Sequence, residues 1–208
     1  RWASKYGNLE IVKLLLADHR VDPSDNNNYA IQWASFYGNL EIVKLLLKDR
    51  RVDPCDDQNY AIRGACYNGH LEVVKCLLAD RRVDPSDDHN RAIRWASEYG
   101  YLEIVKLLLE DRRVDPHDQE NFAIRVASYH GHLEVVKLLL ADHRVDPTYY
   151  QNEAIRLASE YGYLEIVKLL MVDPRVDLSS DYQNYAIRKA NKNGHSEVVK
   201  LLSSKRKR

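Results

Sequence analysis

The chain repeats itself every 31 residues, and that period restricts its fold more than any other feature. Asp-Pro falls at Asp22, Asp53, Asp84, Asp115 and Asp146. Glycine recurs at Gly7, Gly38, Gly69, Gly100, Gly131 and Gly162, then at Gly194 after a step of 32. A third row is Ala3, Ala34, Ala65, Ala96, Ala127, Ala158 and Ala190. A fixed period of this length marks units that bury their apolar faces only by stacking on neighbours. The units run 23–53, 54–84, 85–115, 116–146, 147–177 and 178–208, after a partial unit at 1–22, and together form a single domain. A one-residue insertion between Leu178 and Gln183 shifts the last unit.

Within a unit the pattern predicts two short helices. In 23–53, Asn28 is a plausible N-cap, Ala30–Tyr37 the first helix, and Gly38 its left-handed terminator. The second helix, Leu40–Leu47, is apolar around most of its circumference, with Glu41 and Lys44 on the wet side. A polar finger, Cys55 to Asn59, follows the loop. Helices of this length are below the ~12–15 residues that an isolated helix needs, so stacking must hold them. The fold class expected is therefore all-α, a solenoid of helix–turn–helix repeats.

The segment Gly-His-Leu-Glu-Val-Val-Lys, at 69–75 and again at 131–137, resembles the ankyrin repeat consensus, and the resemblance recurs along the whole chain. Departures are equally regular. The period is 31 rather than 33, which implies a trimmed loop and finger. The family's Thr-Pro-Leu-His-x-Ala becomes Tyr60-Ala61-Ile62-Arg63-Gly64-Ala65 and its equivalents. Arginine (Arg63, Arg94, Arg125, Arg156, Arg188) takes the place of the histidine, with Gln32 in one unit. This 31-residue variant is similar to the ankyrin arrays of giant DNA viruses and amoebae. The resemblance implies a protein-binding scaffold, its partner lying on the concave face of fingers and first helices. It brings no catalytic residue and no cofactor.

Composition agrees with that class. The 31 basic and 31 acidic residues cancel, so no overall field draws the chain to nucleic acid or an anionic membrane. No apolar run approaches the ~20 residues of a membrane span. Three cysteines, Cys55, Cys66 and Cys76, lack a disulfide spacing and fit an intracellular, cytoplasmic-type reducing setting. The basic Lys205–Arg208 has the composition of a nuclear-import signal, a solvated tail being the plainer reading. Seven of the eight glycines belong to the repeat row, and the one left over, Gly64, is too little to build a phosphate-cradling loop. His70, His132 and His195 stand where an imidazole would bond loop backbone, and no cysteine or carboxylate pair completes a zinc spacing around them. Cys66 and Cys76 read as core residues, and Cys55 as the one thiol on a finger.

Rows that repeat are scaffold, and rows that change within the chain are the candidates for recognition. The fingers and the row Lys5, Phe36, Tyr67, Glu98, Tyr129, Glu160, Lys192 change most. The candidate partner-binding residues are Tyr29, Phe36, Tyr60, Tyr67, Arg91, Glu98, Phe122, Tyr129, Tyr149 and Tyr150, exposed tyrosines being typical interface anchors. The fingers are acidic, with Arg91 as their one base, which suits a protein partner with basic surface. The alternative is nucleic-acid binding through arginine and lysine rows of the loops and second helices, for which acidic fingers are a poor field. A structural spacer ranks lower, and an enzyme or a small-molecule site lower still.

Three structural expectations follow. Gly64, in the row of Trp33 and Trp95, makes 54–84 the weakest layer unless both tryptophans fill the space above it. Each arginine of the 63/94/125/156/188 row pairs with an Asp-Pro aspartate or caps carbonyls. The chain reads as the C-terminal part of a longer array, with Trp2, Leu9, Val12 and Leu16 partly exposed and a polar last unit at Lys189, Ser196 and Ser203.

Overall fold

A computed structural model describes residues 1–176, 178 and 180–204. The described residues form helices and turns without strands. Short α1 (Trp2–Lys5) pairs with α2 (Leu9–Ala17), and the pairs α3 (Asp25–Phe36) with α4 (Leu40–Leu47) and α5 (Asp56–Tyr67) with α6 (Leu71–Leu78) follow. Then come α7 (Asp87–Glu98), α8 (Leu102–Glu110), α9 (Asp118–His130), α10 (Leu133–Ala141), α11 (Tyr149–Glu160), α12 (Leu164–Val172), α13 (Ser180–Lys192) and α14 (Ser196–Ser204). Two compact units emerge: Arg1–Ala96 with Glu103–Val114, and Ser97–Leu102 with Asp115–Arg208. In each, first helices pack on first helices and second on second, as an ankyrin-type solenoid requires. The core is built from one short set of residues per repeat, such as Ile31, Ala34, Ile42, Val43, Leu46 and Val52, all at 2 % exposure or less. Burying each such Ile or Leu side chain stabilises by ~1.5–3 kcal/mol.

The fingers depart from the expected N-cap. Asn26, Asn27 and Asn28 all take left-handed backbone, with φ of 55°, 58° and 58°. The same three-residue run recurs at 57–59, 88–90, 119–121 and 150–152. The N–H of the third residue bonds four residues back, as Asn59 N to Cys55 O at 2.9 Å, so each finger is one turn of left-handed helix. Non-glycine residues pay ~1–2 kcal/mol each for this conformation, least where Asn or Asp stands. The right-handed first helix begins only after the turn, at residue 29 of the first full repeat.

Two rows hold the turn. Asn28 does not cap its own helix. Its Oδ1 accepts from Asp53 N at 2.7 Å at the end of its own repeat, and its Nδ2 donates to Asp56 Oδ2 at 2.9 Å in the next. Asn59 does the same with Asp84 N and Asp87 Oδ2, and Asn121 accepts from Asp146 N. In the last repeat the insertion breaks the pattern: Gln183, rather than Asn184, is the buried amide, and it donates to Leu202 O. The arginine row caps carbonyls of the turn. Arg63 donates to Asp57 O at 2.7 Å, Arg94 to Asp88 O at 3.2 Å and Arg156 to Tyr150 O at 3.1 Å, and Gln32 reaches Asn27 O at 2.6 Å. Where these arginines meet a carboxylate it belongs to the next finger, Asp88 for Arg63 and Glu153 for Arg125, rather than to Asp-Pro. The Asp-Pro aspartate instead starts the finger: Asp22, Asp84 and Asp146 accept from the N–H and hydroxyl of Ser24, Ser86 and Thr148.

A second arginine row closes the loops. Arg82 grips Asp80 with Nε and Nη2 at 3.0 and 2.6 Å, and its Nη1 reaches back to Val52 O at 2.8 Å. Arg51 and Arg113 repeat the arrangement in the same unit, and Arg175 in the other. The guanidinium bonds hold Asp49, Asp80, Asp111, Asp142 and Asp173 below the usual carboxylate range. Histidine bridges repeats as expected: Nε2 of His70 donates to Phe36 O at 3.0 Å, of His132 to Glu98 O at 2.9 Å and of His195 to Glu160 O at 3.1 Å. A carbonyl only accepts, so Nε2 carries the proton. Gly100 serves this bridge twice: its φ is +74°, and a Cβ there would lie 2.5 Å from His132 Nδ1.

The space over Gly64 is filled by Phe36 and Tyr60, not by the tryptophans: a Cβ at 64 would meet Phe36 Cδ2 at 3.2 Å. At the first repeat Trp2 is 68 % exposed and Leu9 and Leu16 half-buried, but Val12 is buried at 4 %. The second-helix residues left open are Ile11, Leu14 and Leu15, one ridge around from the expected one. Ser196 and Ser203 are exposed, and Lys189 is half-buried. Lys205–Arg208 lies outside the described residues.

Candidate functional site

In the first unit the candidate aromatics lie on first helices and touch one another through rows that repeat. Tyr29 meets Trp33 edge-on at 6.3 Å between centroids, Trp33 meets Phe36 at 5.7 Å, Phe36 stacks on Tyr67 at 6.1 Å, and Tyr67 meets Trp95 at 5.1 Å. Tyr60 lies over Gly64 with the Arg63 guanidinium 5.5 Å from its ring, and burial pushes its phenol up. The Lys5 ammonium stands 5.2–5.5 Å from the rings of Trp2, Tyr6, Trp33 and Tyr37. Beside it a hollow of about 280 Å³ is lined by Arg1, Trp2, Lys5, Tyr29 and Trp33. Arg91 is not a free finger base. It pairs with Asp88 at 2.9 Å and lies over Trp95 at 5.2 Å.

In the second unit Glu98, Phe122 and Tyr129 come together. With Arg125, Val126, His130, Glu153 and Leu157 they line a shallow hollow of about 350 Å³. Arg125 is held by Glu153 and lies 4.8 Å from the Tyr150 ring. Tyr150 donates to Glu120, which raises its phenol pKa. Tyr149 packs edge-on against Tyr150 and His117 rather than into the hollow. Tyr129 contacts His130 at 4.7 Å and Tyr161 at 4.6 Å.

Sequence reasoning missed one aromatic row. Tyr6, Tyr37, Tyr99 and Tyr161 precede the glycines and are 65, 43, 41 and 43 % exposed, more than Tyr60 or Tyr67. They repeat along the chain and so read as scaffold. The signal that could have found them is position: the residue before a left-handed glycine ends its helix and has no turn above it to cover its ring.

Charges read as finger acidity are partly engaged inside the protein. Asp56 and Asp87 accept from the asparagine row, Asp88 holds Arg63 and Arg91, and Glu153 holds Arg125. The bases of the second helices are paired likewise: Lys13, Lys44, Lys75, Lys137 and Lys168 each meet the glutamate three residues earlier at 2.6–2.7 Å.

The thiols are quiet. Cys55 stands in for the serine of its row, with Sγ on Asp53 Oδ1 at 2.7 Å, and burial and that carboxylate push its pKa to about 11. Cys66 is fully buried. Among the described residues no group of three His, Cys, Asp or Glu side chains is placed to hold a metal ion, and no helix is long and apolar enough to cross a membrane.

A search of curated proteins returns no match. A family model described as ankyrin repeats (3 copies) matches residues 1–56, 52–120 and 93–180. With helix pairs, glycine terminators and histidine bridges in register across that span, the chain belongs to the ankyrin repeat family.

Proposed function

We propose that this chain is a non-catalytic scaffold that binds another protein through its fingers and first helices. Ankyrin repeats are in general protein-interaction modules. The observation that carries the reading is the contrast between the two sides of each repeat. One arginine of each loop and most second-helix lysines are engaged in local pairs, whereas the first helices present half-exposed rings fixed by ring-to-ring contact. Rigid aromatic side chains lose little entropy on binding and are the usual anchors of interfaces. The docking residues are Tyr29, Phe36, Tyr60, Tyr67 and Arg91 in the first unit, and Glu98, Phe122, Tyr129, Tyr149 and Tyr150 in the second. The exposed Tyr37 and Tyr161 extend them. Of the arginine and lysine rows on which nucleic-acid binding would depend, the row of Arg51, Arg82, Arg113 and Arg175 and the lysines Lys44, Lys75, Lys137 and Lys168 are held in local ion pairs.

The test is a selection of peptides from a random displayed library against the intact chain, followed by affinity measurement on variants. Tyr67→Ala and Tyr129→Ala should each weaken the selected ligands by ~1–2 kcal/mol or more. Lys44→Ala and Lys137→Ala should leave them unchanged. Equal losses from both sets would move the site to the second helices.

A further inference from the structure

The repeat supplies its own control for what the hollow at Glu98 accepts. Glu160 occupies the row of Glu98 two repeats on. Its carboxylate holds the ammonium of Lys189 at 2.9 Å, and the Tyr185 ring lies 5.5 Å from the same ammonium. Shifted back two repeats, Tyr185 corresponds to Phe122 and Lys189 to Val126. Glu98 therefore faces the same cradle, an acid and an aromatic ring from the following repeat, with valine where the lysine stands. Among the described residues the Glu98 carboxylate has no basic or hydrogen-bonding partner. The nearby base, Arg125, is already held by Glu153 and by the carbonyls of Gln119 and Glu120. What remains is a hollow of about 350 Å³ walled by Phe122, Val126, Tyr129 and Leu157, with one uncompensated carboxylate at its rim.

We infer that this hollow takes a lysine side chain of the bound partner, its methylenes on Phe122, Val126 and Leu157 and its ammonium on Glu98. The inference rests on the protein-binding reading above and gives the partner its chemistry: a segment with an exposed lysine. A long amphipathic side chain suits such a site, because its stem covers apolar wall while its head stays at the polar rim. An ammonium near an aromatic face and a carboxylate gains from both.

The test uses the intact, isotope-labelled chain and three capped tripeptides, glycine on either side of lysine, norleucine or Nε-acetyl-lysine, followed by NMR. The lysine peptide should shift signals of Phe122, Val126, Tyr129 and Leu157, and bind about fivefold or more tighter than the two uncharged ones. Glu98→Gln should remove that preference, and added salt should erode it. Val126→Lys, which places a lysine in the cradle from within, should abolish the shifts. Equal binding of norleucine, an unchanged preference in Glu98→Gln, or no shift at these residues would overturn the inference. Should Val126→Lys not fold, Glu98→Gln alone decides, since it changes one half-exposed side chain. Library-selected ligands that lose affinity with Tyr129→Ala but not with Glu98→Gln would sink the lysine site and leave the binding surface standing.

Discussion

Asn59 offers the sharpest test of how the fingers are held. Its side chain is 2 % exposed, its φ is 57°, and it accepts from Asp84 N at 2.9 Å and donates to Asp87 Oδ2 at 2.8 Å. Alanine there strands a half-buried N–H, at ~1–3 kcal/mol, and removes a bond to a charged acceptor, at ~1.5–3 kcal/mol. It also puts a Cβ-bearing residue without a local polar side chain into left-handed backbone, at ~1–2 kcal/mol. Water reaching the Asp87 side offsets part of this, so Asn59→Ala should cost about 3–5 kcal/mol. Glycine loses the same two bonds but suffers no left-handed penalty, so Asn59→Gly should be milder by ~1 kcal/mol. Urea unfolding followed by far-UV circular dichroism, and by the fluorescence of Trp33 and Trp95 in the same unit, gives both numbers. An alanine variant within ~1 kcal/mol of the parent, or a glycine variant worse than alanine, would show that the asparagine row does not hold the turn.

Glycine substitutions should separate backbone strain from the histidine bridge. Gly100→Ala meets both the φ of +74° and the His132 ring, whereas Gly194→Ala has a φ of +81° and open space, so the former should lower the melting temperature more. Gly64→Ala should be neutral to slightly stabilising: it gains ~1 kcal/mol of helix propensity against a small displacement of Phe36. The loop aspartates fix the acid response. Asp80 and Asp111 have depressed carboxyl pKa values when folded, through Arg82 and Arg113, so their contribution is fully present above their unfolded pKa of ~3.9. It is lost as pH falls below that through the folded values, and Asp111→Asn should flatten the acid limb of a stability profile. Native-state alkylation at neutral pH should be slow at Cys55, whose thiol titrates near 11, and Cys55→Ser should change stability by less than ~0.5 kcal/mol, since Ser24 and Ser86 hold the same bond.

The architecture was legible because stacking leaves a periodic signature. The second helix over 40–47, the left-handed glycines and the backbone-bonding histidines follow from local chemistry repeated in every unit. What stayed hidden depends on contacts between units of the repeat. Asn28 carries the composition of an N-cap, yet its amide reaches forward 28 residues to Asp56. Phe36 rather than Trp33 covers Gly64 because the ring one turn further along the helix meets the next repeat. Residue types name the candidates for the site but not their neighbours. Glu98, Phe122 and Tyr129 share a hollow, Tyr149 packs elsewhere, and Arg91 is bound to Asp88. Pairing across repeats decides which finger charges remain open, and a list of residue types does not contain it.

A left-handed turn is a costly place for side chains, and the way its cost is met divides the finger into two parts. The third residue is always asparagine up to 152 and is buried, with Asn28 and Asn59 bonded into the next repeat, while the arginine or glutamine four residues on caps a carbonyl of the turn. Neither row needs the side chains of the first two positions. Those positions read Asn26-Asn27, Asp57-Gln58, Asp88-His89, Gln119-Glu120 and Tyr150-Gln151, and all but Asp88 are exposed. Exchange there among residues that tolerate left-handed backbone should move stability by less than ~0.5 kcal/mol, apart from Asp88, which answers Arg63 and Arg91, and Tyr150, whose ring meets Arg125 and Tyr149. The first-helix rings have no such freedom, because Phe36 stacks on Tyr67 and Tyr67 meets Trp95 edge-on. Changing one of them alters how its neighbours sit. On the protein-binding reading proposed above, the finger tips are therefore the positions that can change one repeat at a time, while the aromatic contacts beneath change as a set.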